Sequence, residues 1–381
     1  MRQPSPAAPA VPAPARRSEA GRQGLPLAAR LGRALYPARV ELERARDALE
    51  RRSAGAAGPI LQKRAAFYEG LWEAAARHLG AEVLPLGEGY LRISRAGRHT
   101  IVRESQVMLD SALAMKVAGN KPLVCRLLAA EGCPIARFRE YDLARLADAV
   151  AFMRAVGVAV VKPAVSGAAG KGITTGVATF GALERASIRA SVHSRRLLIE
   201  EEVAGDSYRL LYLRGMLIDA VRRTSPAVTG DGRSSIRELV AAENLRRSAA
   251  QEPVALHPLS IDLEMTQYLR AQGRRLRDVP GAGERVVVKR VVNQNCADEN
   301  EPVTDQVHAA TLELGSRIVR SLGIQLAGVD VMTTDISRPL EETGGVIGEV
   351  NTMPALHHHY LLRGNRRGAP VASLILRSLL Q

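Results

Sequence analysis

The stretch "GGVIGEVNTMPALHHHY" (Gly344–Tyr360) decides how this chain is read. An apolar run suited to a strand ends in Glu349 and Asn351, followed at once by a proline and three histidines. Side chains alternate along a strand, so Glu349 and Asn351 share one face. Upstream, "LAGVDVMTTDISRPL" (Leu326–Leu340) carries Asp330 inside another apolar run. If the two strands are neighbours, three oxygen ligands converge. Two carboxylates about 5 Å apart at an effective dielectric near 20 repel by roughly 3 kcal/mol. Either a cation sits between them or one is protonated. Hard oxygen donors without a thiol or an obligatory histidine favour Mg2+ or Mn2+, completed by phosphate oxygens. The plainer alternative, a lone structural glutamate at a strand end, leaves Asp330 and Asn351 unexplained.

Working outward, "VVKPAVSGAAGKGI" (Val160–Ile173) is a strand ending in Lys162, followed by a loop with Ser166, Gly167, Gly170, Lys171 and Gly172. Small residues let backbone N–H groups approach an anion, and lysines supply counter-charge. No Gly-Lys-Ser/Thr opens a helix here, so it is not a Walker loop. By itself the stretch reads equally well as a Gly/Ala-rich hairpin turn.

The bulk numbers bound the rest. The chain has 381 residues, 46% hydrophobic, enough for two or three domains with their own cores. No apolar run approaches a membrane span. The three cysteines have no metal-type spacing, which fits a reducing cytoplasm. The formal charge of +14 suggests a polyanionic partner, but aromatics are only 3%, against the stacking platforms of a single-strand binder. No nucleic-acid partner is expected. Only six of the 53 Lys and Arg residues are lysines, namely Lys63, Lys116, Lys121, Lys162, Lys171 and Lys289. A compact ammonium and a planar guanidinium do different jobs, so each lysine is notable.

Residues 1–38 are rich in Pro, Ala and Arg without period and are expected to be a disordered, dispensable tail. Helices are expected at 40–52 and 60–80, a hairpin region at 81–105, and a short helix from Pro122 to Gly132. Strands are expected at 157–163, 196–203, 208–224, 284–292, 325–333 and 344–350. A helix begins near Thr304 with Val307, Leu314, Ile318 and Leu322 on one face. This is an α+β pattern. The expected division is 39–118 for an N-terminal α/β domain, 119–206 for a central subdomain and 207–381 for a C-terminal one.

The order of these parts resembles the ATP-grasp ligases: an early lysine, Lys162 with its Gly-rich loop, the acidic "LLIEEEVAG" (Leu197–Gly205), then Asp330 and Glu349-x-Asn351. "GDGRSSIRELV", "TDQVH" and "EVNTMPALHHH" bring it closer to the ATP-grasp domains of cyanophycin synthetase and bifunctional glutathione synthetase. The resemblance covers about residues 115–381. It implies two α+β subdomains gripping ATP, with Lys121 and Lys162 on the phosphates and the adenine edge. Ser166 to Gly172 would form the lid, and Glu200, Glu201, Glu202 and Val203 the adenine-reading hinge. Asp330, Glu349 and Asn351 would hold Mg2+ or Mn2+, and Arg290 would stand near the transferred phosphate. Two departures bear on substrate. Ser207 stands where the family has an acidic ribose contact, with Asp206 one residue early. "QNCADEN" (Gln294–Asn300) replaces a Ser/Thr-Gly-Gly stretch near the acceptor site. Asn293, Asp298 and Glu299 are therefore expected to read the incoming amine.

The reaction this implies activates a small-molecule carboxylate as an acylphosphate and couples it to an amine. Cys296 sits in an acidic setting that raises a thiol pKa, so it reads as a core residue and not a nucleophile. On an extended chain His357 and His359 point the same way and are expected to hold a substrate carboxylate, with His358 at the surface. Two other readings stay open: a ligase adding amino acids to a protein terminus, and a nucleotide-binding regulator. Relatives of this kind form homo-oligomers; the residues do not fix that state here.

Overall fold

The computed structural model describes residues 33–53, 57–165, 171–250, 252–365 and 368–381. The expected tail as far as residue 32, and Ser166, Gly167 and Gly170 of the Gly-rich loop, lie outside the described residues. Alternating residues in the N-terminal third form an antiparallel meander, β1 Glu82–Gly87, β2 Tyr90–Arg95, β3 Arg98–Arg103 and β4 Gln106–Val107. One face carries Leu91, Ile93 and Val102 onto Tyr68, Trp72 and Ala76 of helix Ala57–Leu79. The last helix, Val371–Leu380, packs into the same core. A preceding helix, Tyr36–Ser53, begins inside the stretch expected as tail. Its Tyr36 and Val40 are buried against the central subdomain.

The central subdomain is a four-stranded antiparallel sheet. It comprises β5 Phe138–Tyr141, β6 Ala159–Pro163, β7 Thr174–Val177 and β8 Leu197–Glu201, in the order β5-β8-β6-β7. Helices Leu146–Val156 and Phe180–Ser191 cover one face, neither of them contained in the sequence reading.

Next come β9 Asp206–Leu213 and β10 Met216–Arg223, where the sequence suggests one strand over 208–224. The break is a two-residue hairpin: Arg214 and Gly215 both have positive φ (51° and 79°), the conformation that reverses twisted strands. A small lobe follows. It holds β11 Ala227–Thr229, helices Ile236–Ala249 and Leu263–Ala271, and β12 Arg285–Val287, around Val228, Ile236, Met265, Leu269 and Val286. The strand expected at 284–292 shortens to β12. The chain then returns through β13 Asn300–Pro302, helix Ala309–Ser321, β14 Leu326–Thr333 and β15 Val346–Thr352. The C-terminal sheet is antiparallel in the order β13-β10-β9-β14-β15. The helix expected from Thr304 starts at Ala309, capped by His308, after a short turn Thr304–Gln306. Among the described residues no helix is long and apolar enough to cross a membrane.

Candidate active site

Strands β14 and β15 are adjacent, and their register pairs Asp330 directly with Glu349 and Gly328 with Asn351. On its other side β14 pairs Asp330 with Arg209 of β9. Gly328 is required next to this point: a Cβ there would meet Arg209 Cδ at 2.8 Å and Pro354 Cβ at 2.9 Å. Arg209 can therefore lie across the strand and grip Asp330 with both Nε and Nη2. A second guanidinium, Arg223 of β10, approaches Asp330 at 2.9 Å. Asn351 Nδ2 is 3.5 Å from the same carboxylate. The expected repulsion between the two carboxylates is thus answered by separate cations on each.

Glu349 takes its cations from the other subdomain. Lys121 Nζ lies 2.6 Å from Glu349 Oε1. Lys121 starts helix Lys121–Ala130, and its backbone N–H donates to Ala164 O just past β6, which draws that helix end to Lys162. Lys162 is buried and pairs with Glu200 Oε2 at 2.7 Å across β6 and β8. Burial raises the Glu349 carboxyl, but Lys121 and Lys162 overcome it and hold the group below its ordinary 4.5. Burial likewise raises Asp330, and Arg209 and Arg223 overcome it and keep it below 3.8. Burial pulls the Lys162 pKa down, but Glu200 and Glu349 outweigh it and raise it above its ordinary value. Arg223 shows the strain of the arrangement. Burial drives its guanidinium down to about 10, against the pull of Asp330. The structure therefore brings Lys121, Lys162, Glu200, Asp330, Glu349 and Asn351 into one charged cluster spanning two subdomains. Arg209 and Arg223 complete it. These two are missing from the sequence reading, although a charge inside an apolar strand such as "YRLLYL" is the signal that could have found them.

Other expected site residues lie apart from this cluster. Glu201 faces outward and pairs with Arg137 at 2.8 Å. Glu202 accepts from Gly176 N at 2.6 Å and pairs with Arg290 Nε at 3.2 Å. Arg290 Nη2 also donates to Val203 O at 2.9 Å, so its guanidinium is engaged by Glu202 and Val203 and not by Asp330 or Glu349. Lys171 is exposed; Gly172 is held at φ 76°, where a Cβ would strike His193 at 2.7 Å. Ser207 is buried and accepts from Arg223 Nη2 at 2.7 Å, while Asp206 pairs with Arg222.

The acidic segment divides. Glu299 is buried and accepts from the amides of Cys296 at 2.8 Å and Ala227 at 3.1 Å, a cap with no free face. Asp298 is exposed, 3.9 Å from Arg246, and Asn293 is half-buried. Cys296 is buried, and that burial and the nearby Glu299 push its thiol up to about 11.

The histidines occupy a single 3-10 turn, Leu356–His359, so strand alternation does not apply, and the rings of His357 and His358 lie 4.2 Å apart. His357 Nδ1 meets Tyr68 Oη at 2.9 Å, joining the N-terminal domain to this turn. His359 Nδ1 meets Asp219 Oδ2 at 2.6 Å. His358, expected at the surface, is 3% exposed, and its Nδ1 has no hydrogen-bond partner among the described residues. Burial holds all three below the ordinary histidine value, so they are neutral near pH 7.

The oxygen set on β14 and β15 fits a hard divalent cation: two carboxylates and an amide on one face of a strand pair, with phosphate oxygens to complete the shell. Among the described residues, no three His, Cys, Asp or Glu side chains form a metal-holding group on their own.

No known family profile matches the chain. It is 32% identical over 250 residues to the cyanophycin synthetase of Trichormus variabilis, a match covering 65% of this chain and 27% of that protein. It is 25% identical over 297 residues to the glutathione biosynthesis bifunctional protein GshAB of Desulfotalea psychrophila, covering 76% and 38%. Among solved structures, the bifunctional glutathione synthetase of Pasteurella multocida overlaps 79% of the chain and 41% of its own length, at 21% identity and a TM-score of 0.49. The chain thus spans between a quarter and two fifths of these curated relatives.

Proposed function

We propose that this relative of cyanophycin synthetase and of the bifunctional glutathione enzymes is an ATP-dependent carboxylate–amine ligase. A substrate carboxylate oxygen attacks the γ-phosphorus of ATP, the bond to the bridging oxygen breaks, and ADP leaves. An amine nitrogen then attacks the acylphosphate carbon, phosphate departs, and the nitrogen loses a proton to give an amide. The observation that carries this reading is the cross-strand pair Asp330 and Glu349, each already neutralised by cations from different elements.

The residues work by positioning and by charge. Lys121 and Lys162 are placed to meet phosphate oxygens, and in doing so would release Glu349 and Glu200 from their ion pairs. Arg209 and Arg223 would transfer from Asp330 to the developing phosphoryl and acyl charge. Mg2+, held by Asp330, Glu349 and Asn351, would neutralise the phosphates and polarise the γ-phosphoryl group. The hinge Glu200 to Val203 would read adenine, with Arg290 fixing its shape through Glu202 and Val203 O. Water kept out by the segment around Lys171 and Gly172 cannot hydrolyse the acylphosphate. The partners are a small carboxylic acid and a small amine, amino acids or short peptides. A regulator would have no need of the complete oxygen and lysine set.

The test is ADP and phosphate release with Mg2+ and ATP, amino acids being offered singly and in pairs. Release that depends on one pair, with an amide product by mass, is expected. Absence of ATP binding by calorimetry in the presence of Mg2+ would remove the reading.

A further inference from the structure

The histidine turn crosses the same face of the C-terminal sheet that carries the charged cluster. Directly paired residues of antiparallel strands share a face. Val221, Arg209, Asp330 and Glu349 therefore form one row across β10, β9, β14 and β15. The next row on that face is Asp219, Leu211, Gly328 and Asn351, two residues along each strand and about 7 Å away. After Asn351 the chain passes over this second row. Pro354 sits above Gly328, whose Cβ would come within 2.9 Å of it. Leu356 joins the apolar core that holds Leu211. His359 then reaches Asp219, Nδ1 to Oδ2 at 2.6 Å. Two residues on, Leu361 O accepts from Asn300 Nδ2 at 2.9 Å. Asn300 is paired directly with Arg223, which contacts Asp330. His359 is thus anchored one row from Arg209 and Asp330, a span that a phosphoryl group and the acyl carbon attached to it can bridge.

Four polar atoms of the turn and of the strands beneath it have no hydrogen-bond partner among the described residues: His358 Nδ1, His359 Nε2, Asn300 Oδ1 and Arg223 Nε. All four residues are buried. Unsatisfied groups are costly in dry surroundings, and several together mark a place where something binds. The other bonds of two of them fix what they can do. Asn300 gives its NH2 to a carbonyl, so its free atom is the amide oxygen, an acceptor. Ala220 N donates to Thr304 Oγ1 at 2.9 Å, and that hydroxyl donates to Asp219 Oδ1 at 2.8 Å. Asp219 Oδ2 accepts the Nδ1–H of His359, which leaves Nε2 as a bare lone pair. Burial first, then Arg209 and Arg223, keep this imidazole below its ordinary value despite Asp219, so it is neutral near pH 7. A carboxylate that orients a neutral imidazole in this way makes it a base.

We propose that His359, oriented by Asp219, is the base that takes a proton from the incoming amine, with Asn300 Oδ1 as a second acceptor for the same ammonium group. The inference rests on the ligase reading and narrows its second substrate to a primary ammonium compound. An ammonium group presents only N–H donors, which bare acceptors such as His359 Nε2 and Asn300 Oδ1 select. Arg223 Nε, a donor, is left for the acyl oxygen. The ammonium passes one proton to His359 Nε2, and the imidazolium that forms is held beside Asp219. The freed nitrogen lone pair attacks the acylphosphate carbon, and the carbon–oxygen bond to phosphate breaks with its electron pair. The nitrogen's second proton leaves on the departing phosphate. The imidazolium returns its proton to solvent as the amide departs.

The test compares two nucleophiles. Hydroxylamine carries a free lone pair near neutral pH and needs no base, whereas an amino acid must first lose a proton. The full chain, His359→Asn and Asp219→Asn are each given Mg2+, ATP and the common protein amino acids, with hydroxylamine and without it. Hydroxamate is read in the first arm and amide, by mass, in the second. Asn at 359 keeps a donor for Asp219 but supplies no base. Asn at 219 can donate to Nδ1 and so moves the ring proton onto Nε2. In both variants amide formation should fall at least about a hundredfold, while hydroxamate formation stays within about threefold of the parent. A merely structural histidine would lower both arms together, and an unused one neither. Either result, with an unchanged melt, overturns the proposal. A parent that makes neither product overturns the ligase reading on amino acids and this inference with it. Should the variants not fold, nitrogen-15 histidine spectra of the parent decide. A proton on Nδ1 of His359, protected from exchange, supports the proposal, and one on Nε2 overturns it.

Discussion

Glu349 and Glu264 are the same residue type in largely dry surroundings, yet they end in opposite states. Glu349 has an ammonium at 2.6 Å and a second, Lys162, in electrostatic reach, so its carboxyl stays ionised. Glu264 has Lys289 only at 3.9 Å, and that lysine is already paired with Asp262 at 2.6 Å. Burial then wins and pushes Glu264 up to about 7. Both lie between strands of one subdomain and a helix of another. What separates them is whether the nearest cation lies within contact distance. The backbone amides of Arg290 and Val291 favour an ionised Glu264, but they do not outweigh its burial.

The strongest way to break this comparison is to remove the ionised member. Asp330→Asn and Glu349→Gln should each lower turnover at saturating Mg2+ by at least about a hundredfold. Asp330→Asn should also cost about 3 kcal/mol of stability, because it leaves Arg209 and Arg223 buried beside a neutral group. Turnover like the parent's in either variant would end the metal assignment; an unchanged melt for Asp330→Asn would end the account of the two arginines.

Lys121→Ala sharpens the comparison by making Glu349 resemble Glu264. Its carboxyl should climb, so the acid limb of the pH–rate profile moves to higher pH, and the KM for ATP should rise about tenfold. An acid limb that stays put would mean that Lys162 alone sets the state of Glu349.

Glu264→Gln approaches from the other side. The folded carboxyl sits at about 7 against an ordinary 4.5, so between these values the folded protein holds a proton that the unfolded chain has lost. Stability therefore falls as pH rises through that window, by on the order of 3 kcal/mol. The Gln variant should flatten this slope and be the more stable form at pH 8, as read by urea melts at pH 5 and 8. The sign is opposite for Asp330 and Glu349, whose stabilisation is present above their unfolded values and lost as pH falls.

The smallest effects concern the acidic segment. Glu299→Gln should cost about 1 kcal/mol, since it weakens two amide caps. Asp298→Asn should change stability by less than about 0.5 kcal/mol and leave the KM of the amine unaltered. A raised amine KM in Asp298→Asn would restore the acceptor role that the sequence suggests for it.

The contrast between Asp330 and Arg209 shows where the sequence was readable. Asp330, Glu349 and Asn351 stand out because a carboxylate inside an apolar strand is anomalous, and strand alternation puts Glu349 and Asn351 on one face. Arg209 and Arg223 do the same thing in β9 and β10, but in an arginine-rich chain they pass for a solvated strand face. The histidine turn misleads for a different reason. Three consecutive histidines alternate only if the chain is extended, and after Pro354 it winds into a 3-10 turn that buries His358. Glu299 reads as a substrate contact by charge alone; its bond from the Ala227 amide becomes visible only when β11 is brought alongside.

The sequence by itself determined the chemical parts: the oxygen set on two strands, Lys162 at the end of a third, and the acidic stretch Glu200–Glu202 beyond it. Residue type and strand period are local properties, so they can be read locally. The tertiary structure decided which cation serves which carboxylate, that Arg290 binds Glu202 and the Val203 carbonyl, and that Glu349 is ionised while Glu264 is poised near neutrality. Those outcomes follow from Coulomb energies that change steeply over a few ångströms. The distances are set by sheet register and by the packing of two subdomains, and they join residues such as Lys121 and Glu349 that lie far apart along the chain.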